Sequence, residues 1–242
     1  MTVDNATPAG IPRCTPRTAP KEGRALSENE DNIAVNGAFG RYAVSDGAST
    51  AARSDVWSRL LADAFVWDKL DPLDGNALAD LRAHWWTAVS GTSLPWFAQT
   101  KLLEGSAATF LGLSLDSGYF RASGVGDTCL FHLRGDELLS ARPLERTDQF
   151  SRSPNLVYTH PSKALTDRDV WIFEGAYRLG DAFVVATDAA AKYLLHRHER
   201  DTAVPPLPRP ETPCEKFHNR VRELRATRQL DNDDTTLCVI RT

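Results

Sequence analysis

The sequence has few cysteines, and their spacing argues against two common uses of that residue. Cys14, Cys129, Cys214 and Cys238 are scattered along 242 residues, and no two of them form a Cys-x-x-Cys pair. A structural zinc site or a disulfide framework is therefore not expected. Cys129 and Cys238 lie inside apolar, strand-like runs, so we expect them to be buried as small apolar side chains.

Long apolar runs and an excess of basic charge are also missing. No apolar stretch approaches the ~20 residues that a membrane-spanning helix needs, and the first residues lack the basic and apolar regions of a secretory signal. Lys and Arg number 28 against 32 Asp and Glu, a formal net charge of -4, which argues against a nucleic-acid binder. We therefore expect a cytoplasmic protein that contacts neither membranes nor nucleic acids, and we expect it to be a monomer.

The chain is long enough for one large domain. Residues 1–22 are rich in Thr, Ala and Pro and are predicted to form a flexible N-terminal tail. Residues 23–242 are then expected to form a single domain.

Helical periodicity marks three segments. The first is predicted to begin at a Ser54 cap, with the buried face Val56, Leu60, Ala64 and Trp67. The second has the face Leu78, Leu81, Trp85 and Val89. The third follows a capping box of Thr212, Pro213 and Glu215, and its face is Phe217, Val221 and Leu224.

The remaining apolar runs are short and typical of antiparallel strands. A hairpin is predicted around Asn36-Gly37. Between residues 107 and 144, four apolar runs separated by Gly, Asp and Ser resemble an antiparallel meander. Two further strands are predicted in "DAFVVATD" and "TTLCVIRT". Helices and antiparallel strands together indicate the α+β class.

Acidic residues stand at the ends of these predicted strands, namely Asp46, Asp127, Asp188, Asp233 and Asp234. If the strand ends share one edge, the carboxylates repel each other and raise one another's pKa unless positive charge lies between them. That charge could come from Lys or Arg, or from a divalent cation, and no basic residue flanks Asp46, Asp127 or Asp233 in the sequence. Oxygen ligands favour Mg²⁺ or Mn²⁺. Taken alone, an acid of this kind is more often a turn residue, since Asp-Gly is a favoured turn pair.

Five segments taken in chain order resemble the signature blocks of the metal-dependent protein phosphatase 2C (PPM) family, in its bacterial form. They are "ENED" (28–31), "AVSDGAS" (43–49), "GVGDTCLFHL" (124–133), "VVATDAAAKYLL" (184–195) and "DNDDTTLCVI" (231–240). The resemblance implies a four-layer α-β-β-α sandwich, in which two antiparallel sheets are flanked by helices. It also implies two, or even three, Mn²⁺ or Mg²⁺ ions at one edge of the sheets.

The resemblance assigns a role to each acid. Asp46 would bridge both metals, and the Gly47 carbonyl would bind one of them. Asp188 and Asp233 would bind the other metal, with Asp233 preferred over Asp234 by aligning "DDTT" with the family's Asp-Asn-x-Thr/Ser. The remaining roles concern water and a third ion: Glu30 and Asp31 would hold metal-bound waters, and Asp127 with Asp188 would form a weaker third site.

The implied reaction is phosphomonoester hydrolysis by a metal-bridged hydroxide in one in-line attack. The sequence departs from the family at three positions. Leu26 stands where the family has its phosphate-binding arginine, and Arg24 is the nearest substitute, or else an ordinary solvated arginine. Ala48 and Ala189 replace the His of eukaryotic members and a common Gly.

Three functions are compatible with the resemblance. The favoured one is a protein serine/threonine phosphatase whose partners are phosphoproteins, including a cognate Ser/Thr kinase or its targets. The same chemistry on a small phosphorylated metabolite and a non-catalytic binding module are the alternatives. The acids present in all five blocks argue against the last, whereas nothing in the sequence separates the first two.

Overall fold

The computed structural model describes residues 11–91, 96–201 and 204–242, with only the backbone for residues 96–98. Its strands are β1 Arg13–Ala19, β2 Asn32–Asn36, β3 Arg41–Ser45, β4 Ala107–Ala108, β5 Phe110–Asp116, β6 Tyr119–Val125, β7 Cys129–Arg134, β8 Glu137–Arg142, β9 Val157–Tyr158, β10 Trp171–Ala176, β11 Asp181–Ala186 and β12 Thr235–Arg241. Its helices are α1 Ser54–Val66, α2 Gly75–Ser90, α3 Trp96–Glu104, α4 Asp188–Asp201 and α5 Cys214–Ala226.

Ten of the strands form two antiparallel sheets of five. Sheet A has the order β1-β12-β11-β7-β8, and sheet B has the order β10-β6-β5-β3-β2. The short strands β4 and β9 pair with each other, and Ala108 of β4 forms an isolated bridge to Gly47. The segment that contains β9 is thereby tied to the loop after β3.

Three apolar layers hold the sandwich together. One layer lies between the sheets and includes Tyr42, Leu113, Phe183 and Ile240. A second lies between sheet B and helices α1 and α2, and the third between sheet A and helices α4 and α5. The predicted α+β class and the four-layer α-β-β-α arrangement are therefore confirmed.

Strand β12 shows how the sequence produces this layering. Leu237 and Val239 pack in the layer under α4 and α5, whereas Cys238 and Ile240 pack between the sheets. Side chains alternate between the two faces of a strand, so a strand covered on both faces must be apolar at every position. The buried Cys238 and Cys129 follow this rule, as predicted.

The predicted N-terminal tail is wrong over part of its length. Residues 13–19 form β1, which pairs with β12 from Arg13↔Arg241 to Ala19↔Thr235. A Thr- and Pro-rich segment carries no strong strand pattern, but the exposed edge of β12 offers it a full set of backbone partners. Residues 1–10 lie outside the described residues, so that part of the prediction stays untested.

Among the helix predictions, two buried faces are confirmed, whereas the third face and both caps differ from the structure. The faces predicted for α2 and α5 are buried as expected. In α1 the predicted face is only partly right, because Ala64 is buried but Trp67 is 54% exposed. Val56 and Leu60 are partly buried, and the helix buries Trp57, Leu61 and Phe65 more fully. The predicted caps are also wrong, since α1 follows Arg53 and α5 follows Pro213, with no side-chain cap at either.

The predicted meander is wrong in its topology. Strands β5 and β6 pair in sheet B, and β7 and β8 pair in sheet A. The chain therefore changes sheet in the turn that contains Asp127. No helix in the described ranges is long and apolar enough to cross a membrane.

Candidate metal centre

The predicted acids gather at one edge of the sandwich because the strands that carry them end there. Asn32 at the start of β2 pairs with Ser45 at the end of β3. In sheet A, Ala186 at the end of β11 pairs with Cys129 at the start of β7 and with Leu237 near the start of β12. The acids just outside these positions are Glu30, Asp31, Asp46, Asp127, Asp188 and Asp233.

The backbone around Asp46 is held in place by Thr109. The Thr109 amide donates to the Asp46 carbonyl at 2.8 Å, and the Asp46 amide donates to Thr109 Oγ1 at 3.2 Å. Thr109 Oγ1 also lies 2.6 Å from Thr128 Oγ1, next to Asp127. These bonds join the loops of two predicted ligands.

Gly47 is required by packing. A Cβ at this position would lie 2.8 Å from the Glu30 carbonyl oxygen and 2.8 Å from Ser54 Cβ. The Gly47 amide donates to that same carbonyl at 3.2 Å. Glycine therefore lets the first turn of α1 and the Glu30 backbone approach Asp46 closely.

Glu30 is fixed at both its backbone and its side chain. Ser58 Oγ donates to the Glu30 carbonyl at 2.6 Å, and Ser54 Oγ donates to Glu30 Oε1 at 2.6 Å. Ser54, which was predicted as a helix cap, thus holds a site carboxylate instead. Its role depends on the folding of α1 against β2, so the local sequence contains no signal for it.

Asp31 is a buried carboxyl group that joins the two sheets. Its Oδ2 accepts a hydrogen bond from Thr187 Oγ1 at 3.0 Å, while Oδ1 is buried with no hydrogen-bond partner. Burial, together with the charges of Asp234 and Asp188, raises the pKa of Asp31 to about 8. A buried oxygen without a partner is costly, and a bound water or cation would satisfy it.

The other acids are perturbed in the same direction. Burial, together with the charges of Asp127 and Asp233, raises the pKa of Asp188 to about 7, and burial with the charge of Asp233 raises the pKa of Asp127 to about 6. The pKa of Asp46 lies well above its ordinary value, mainly because of burial and then because of Asp31 and Asp188. The carboxylates therefore interact as one cluster that disfavours its own negative charge.

Asp233 and Asp234 occupy different environments. Asp234 is buried, and its two oxygens accept hydrogen bonds from the Lys21 amide at 2.7 Å and the Glu30 amide at 2.8 Å. The Asp233 side chain is 46% exposed and contributes to the raised pKa of Asp46. This geometry favours Asp233 as the ligand and gives Asp234 a role in positioning the loops.

One basic residue lies among the acids, and the sequence prediction missed it. Lys21 Nζ is 3.0 Å from Asp233 Oδ1 and 3.4 Å from Glu30 Oε2, and it donates to Ser49 Oγ. Burial alone would lower the pKa of Lys21, but Asp233 and the neighbouring acids raise it. Lys21 reaches this place through the pairing of β1 with β12, which local sequence does not reveal.

Arg225 of α5 forms hydrogen bonds to both segments that carry Lys21 and Asp233. Its guanidinium donates to the Pro20 carbonyl at 2.8 Å, to the Asp233 carbonyl at 2.6 Å and to Thr235 Oγ1 at 3.0 Å. The structure partly buries this arginine. The segments that carry Lys21 and Asp233 therefore share one support.

Arg24 lies at the periphery. Its side chain is 61% exposed and pairs with Glu28 at 2.8 Å. Leu26, at the position of the family's arginine, is 59% exposed. The role of Arg24 in phosphate binding stays a prediction. Among the described residues, Lys21 is the cation that forms ion pairs with carboxylates of the predicted site.

The donor set suits a hard divalent cation. Its side-chain ligands are all carboxylates, as Mg²⁺ and Mn²⁺ prefer. Within the described part of the chain, no three His, Cys, Asp or Glu side chains are arranged to hold an ion by themselves. Mg²⁺ keeps several of its waters, so it can be bound through one or two carboxylates. The residues present therefore fit the predicted ions if water completes their coordination.

Comparison with solved structures identifies the fold of this chain. No model of a known protein family matches the chain, and neither does any curated protein. Solved structures match over nearly the whole chain. The photosystem II phosphatase PBCP is 16% identical with a TM-score of 0.61, and PppA of Pseudomonas aeruginosa is 19% identical with a TM-score of 0.59. In both comparisons 96% of this chain and 98% of the other are covered.

A third match carries metal. The catalytic domain of the serine/threonine protein phosphatase PstP, in complex with two manganese ions, is 16% identical, with a TM-score of 0.58 over 96% of this chain and 98% of that one. At these identities the likeness shows the fold. The chain has the fold of the protein phosphatase 2C (PPM) family.

Proposed function

We propose that this protein is a Mn²⁺- or Mg²⁺-dependent phosphomonoester hydrolase that acts on serine/threonine phosphoproteins. The observation that carries the proposal is the gathering of six predicted acids at one edge of the two sheets, where the pKa of Asp46 is raised by four of its neighbours. Carboxyl groups whose pKa values are raised destabilise the folded state when they are ionised, and bound cations would relieve that repulsion. The shared fold with metal-dependent phosphatases supports the same reading.

Different residues of the chain would bind the ions and orient the water. Asp46, the Gly47 carbonyl, Asp188 and Asp233 would hold two ions, and Asp127 with Asp188 would hold a third. When bound, these ions would supply an activated water and positive charge for the phosphoryl oxygens. Glu30, kept in position by Ser54 and Ser58, and the buried Asp31 would hold and orient water beside the ions. Ala48 provides no acid for the leaving group.

The substrate class and the setting are part of the proposal. Phosphoproteins, including a Ser/Thr kinase or its targets, are proposed as partners of a cytoplasmic monomer. They are supported by the fold neighbours, two of which are named as a photosystem II phosphatase and a serine/threonine protein phosphatase. A phosphorylated metabolite as substrate and a non-catalytic role are the outcomes that the experiment must distinguish.

The test is a matrix of substrates and metals. Hydrolysis of p-nitrophenyl phosphate, a phosphothreonine peptide and a set of phosphorylated metabolites is measured with Mn²⁺, Mg²⁺, Zn²⁺ or chelator. We expect turnover with Mn²⁺ or Mg²⁺, none in chelator, and a preference for the peptide. Asp46→Asn should lower kcat by roughly a hundredfold or more. Asp116→Asn, at the far end of β5, is the matched control and should behave as wild type.

Each contrary result has a clear meaning. Turnover that survives chelation would contradict the metal-dependent mechanism. A preference for a phosphorylated metabolite over the peptide would mean that the substrates are small molecules and not phosphoproteins. Absence of turnover with every substrate and metal, in a protein that still binds Mn²⁺, would point to a binding module.

A further inference from the structure

The ammonium group of Lys21 occupies a fixed place at the candidate centre. The Lys21 amide donates to Asp234 Oδ1 at 2.7 Å, and the Pro20 carbonyl just before it accepts from Arg225 at 2.8 Å. The Lys21 carbonyl accepts from the Arg24 amide at 3.1 Å, which closes a turn. Since the backbone is fixed on both sides, the side chain is directed toward the acids.

The contacts of Lys21 Nζ bridge both sheets. Glu30 precedes β2 of sheet B, Asp233 precedes β12 of sheet A, and Ser49 follows the Asp46 loop. The side chain is 24% exposed, so the ammonium lies at the rim of the site with a path to solvent.

The donors of the Lys21 ammonium are divided among three partners, Glu30, Asp233 and Ser49. An ammonium group has three donors. Once divalent cations neutralise Asp233 and its neighbours, the attraction that holds Lys21 to those carboxylates weakens. The dianionic group of a phosphomonoester, with three acceptor oxygens, is then the strongest acceptor within its reach.

We infer that Lys21 binds the phosphoryl oxygens of the substrate, and that it does so instead of an arginine at position 26. The inference rests on the proposed function for the identity of its ligand, a phosphomonoester or its product, inorganic phosphate. The position of Leu26, 59% exposed, and the pairing of Arg24 with Glu28 leave Lys21 as the cation in contact with the predicted ligands.

The experiment measures phosphate binding as well as turnover. Inorganic phosphate is titrated into the full chain at saturating Mg²⁺ by calorimetry, and its inhibition constant is measured against p-nitrophenyl phosphate. Lys21→Met, Lys21→Arg and Arg24→Met are compared with wild type. Lys69→Met, which removes an ammonium stacked on Phe39 at the opposite end of β3, is the matched control. Lys21→Gln retains a polar stem and provides the same test if Lys21→Met folds poorly.

We expect Lys21→Met to weaken phosphate binding and to lower kcat/KM by about ten- to a hundredfold, the effect of losing a charge-assisted hydrogen bond. Lys21→Arg should recover most of the loss, Mg²⁺ affinity should not fall, and Lys69→Met should match wild type. Phosphate affinity of Lys21→Met or Lys21→Gln within twofold of wild type overturns the inference, as does loss in Arg24→Met alone.

The inference and the proposed function can fail separately. If wild type hydrolyses phosphomonoesters and the Lys21 variants do so equally well, the function stands and the inference is wrong. If wild type has no turnover but binds phosphate through Lys21, the inference stands and the proposed function is wrong. Wild type that binds no phosphate at saturating Mg²⁺ also overturns the inference.

Discussion

Asp233 and Asp234 are neighbours in the chain, yet their carboxylates serve different parts of the structure. Asp234 accepts hydrogen bonds from the amides of Lys21 and Glu30, at 2.7 and 2.8 Å, and so ties both ends of the β1–β2 connection to the segment before β12. Asp233 is turned toward Lys21 and the other acids. Of these two adjacent acids, one therefore holds the backbone in place and the other is a predicted metal ligand.

This relationship predicts different defects for two matched substitutions. Asp233→Asn should lower kcat by roughly a hundredfold or more, with little loss of stability. Asp234→Asn places an amide N–H against a backbone donor, so it should cost about 1–3 kcal/mol of unfolding free energy. Steady-state kinetics and urea unfolding check both. If Asp234→Asn, at full folding, loses as much kcat as Asp233→Asn, the assignment of the ligand is shifted by one residue.

Asp46→Asn should change stability in opposite directions with and without metal. In chelator the variant should melt at or above wild type, because one of several repelling charges is gone. With millimolar Mn²⁺ the wild type should be stabilised by roughly 2.7 kcal/mol at a hundredfold excess over Kd, and the variant much less. Thermal melts of both proteins in both conditions give the answer. Equal melting of the two in both conditions would mean that Asp46 only forms a turn.

The raised pKa values predict how the metal-free protein responds to pH. An acid whose pKa is raised by folding favours the folded state while protonated, so this stability is complete below the unfolded pKa of about 3.9 and is lost as pH rises through the folded value. For Asp127, Asp188 and Asp31 the folded values are about 6, about 7 and about 8.

In chelator, the unfolding free energy should therefore fall between about pH 5 and pH 8, and Mg²⁺ should remove much of that fall. Asp31→Asn, which resembles the protonated carboxyl group, should flatten the upper part of the curve. Urea unfolding across this range is the measurement. A metal-free stability that rises toward pH 8 would contradict the clustering of these acids.

Arg225 is predicted to position the two loops that it bridges. Arg225→Met removes hydrogen bonds to the Pro20 and Asp233 carbonyls and to Thr235, and should lower the unfolding free energy by about 1.5–3 kcal/mol and weaken Mn²⁺ binding. Arg222→Met is the control, since Arg222 is exposed on the same helix and contacts Asn219. Unfolding and Mn²⁺ titrations compare the two. Equal effects in both variants would show that Arg225 has no special role.

Gly47 is predicted to tolerate no side chain. In Gly47→Ala the new methyl group would meet the Glu30 carbonyl and Ser54, at a cost of about 1–3 kcal/mol and with displacement of the Asp46 loop. Gly75→Ala is the control, because a Cβ there meets nothing within 4 Å at the start of α2. Melting temperatures and Mn²⁺ affinities should separate the two variants. A Gly47→Ala protein that matches wild type in both would show that the loop can move aside.

Local sequence patterns predict the buried face of an element when its apolar and polar positions are clearly separated. The face of α2 follows from a clear division between apolar and polar positions, so Leu78, Leu81, Trp85 and Val89 could be predicted. In α1 apolar residues occur on several sides, and the choice between Trp57 and Trp67 is made by the sheet that packs on the helix. The same holds for β1, which is a strand because β12 has an open edge.

The sequence by itself determined which residue types could form the site: carboxylates placed next to strand ends, in an order that resembles a known family. Only the tertiary structure decided which of those oxygens are free and which cation stands among them. Both oxygens of Asp234 accept amides from residues distant in the chain, whereas Asp233 Oδ1 accepts the amide of its neighbour Asp234. Lys21 reaches Asp233 from 212 residues away in the chain through the β1–β12 pairing. Hydrogen bonds and charge interactions depend on distances in space, and strand pairing brings together residues whose separation in sequence contains no trace of it.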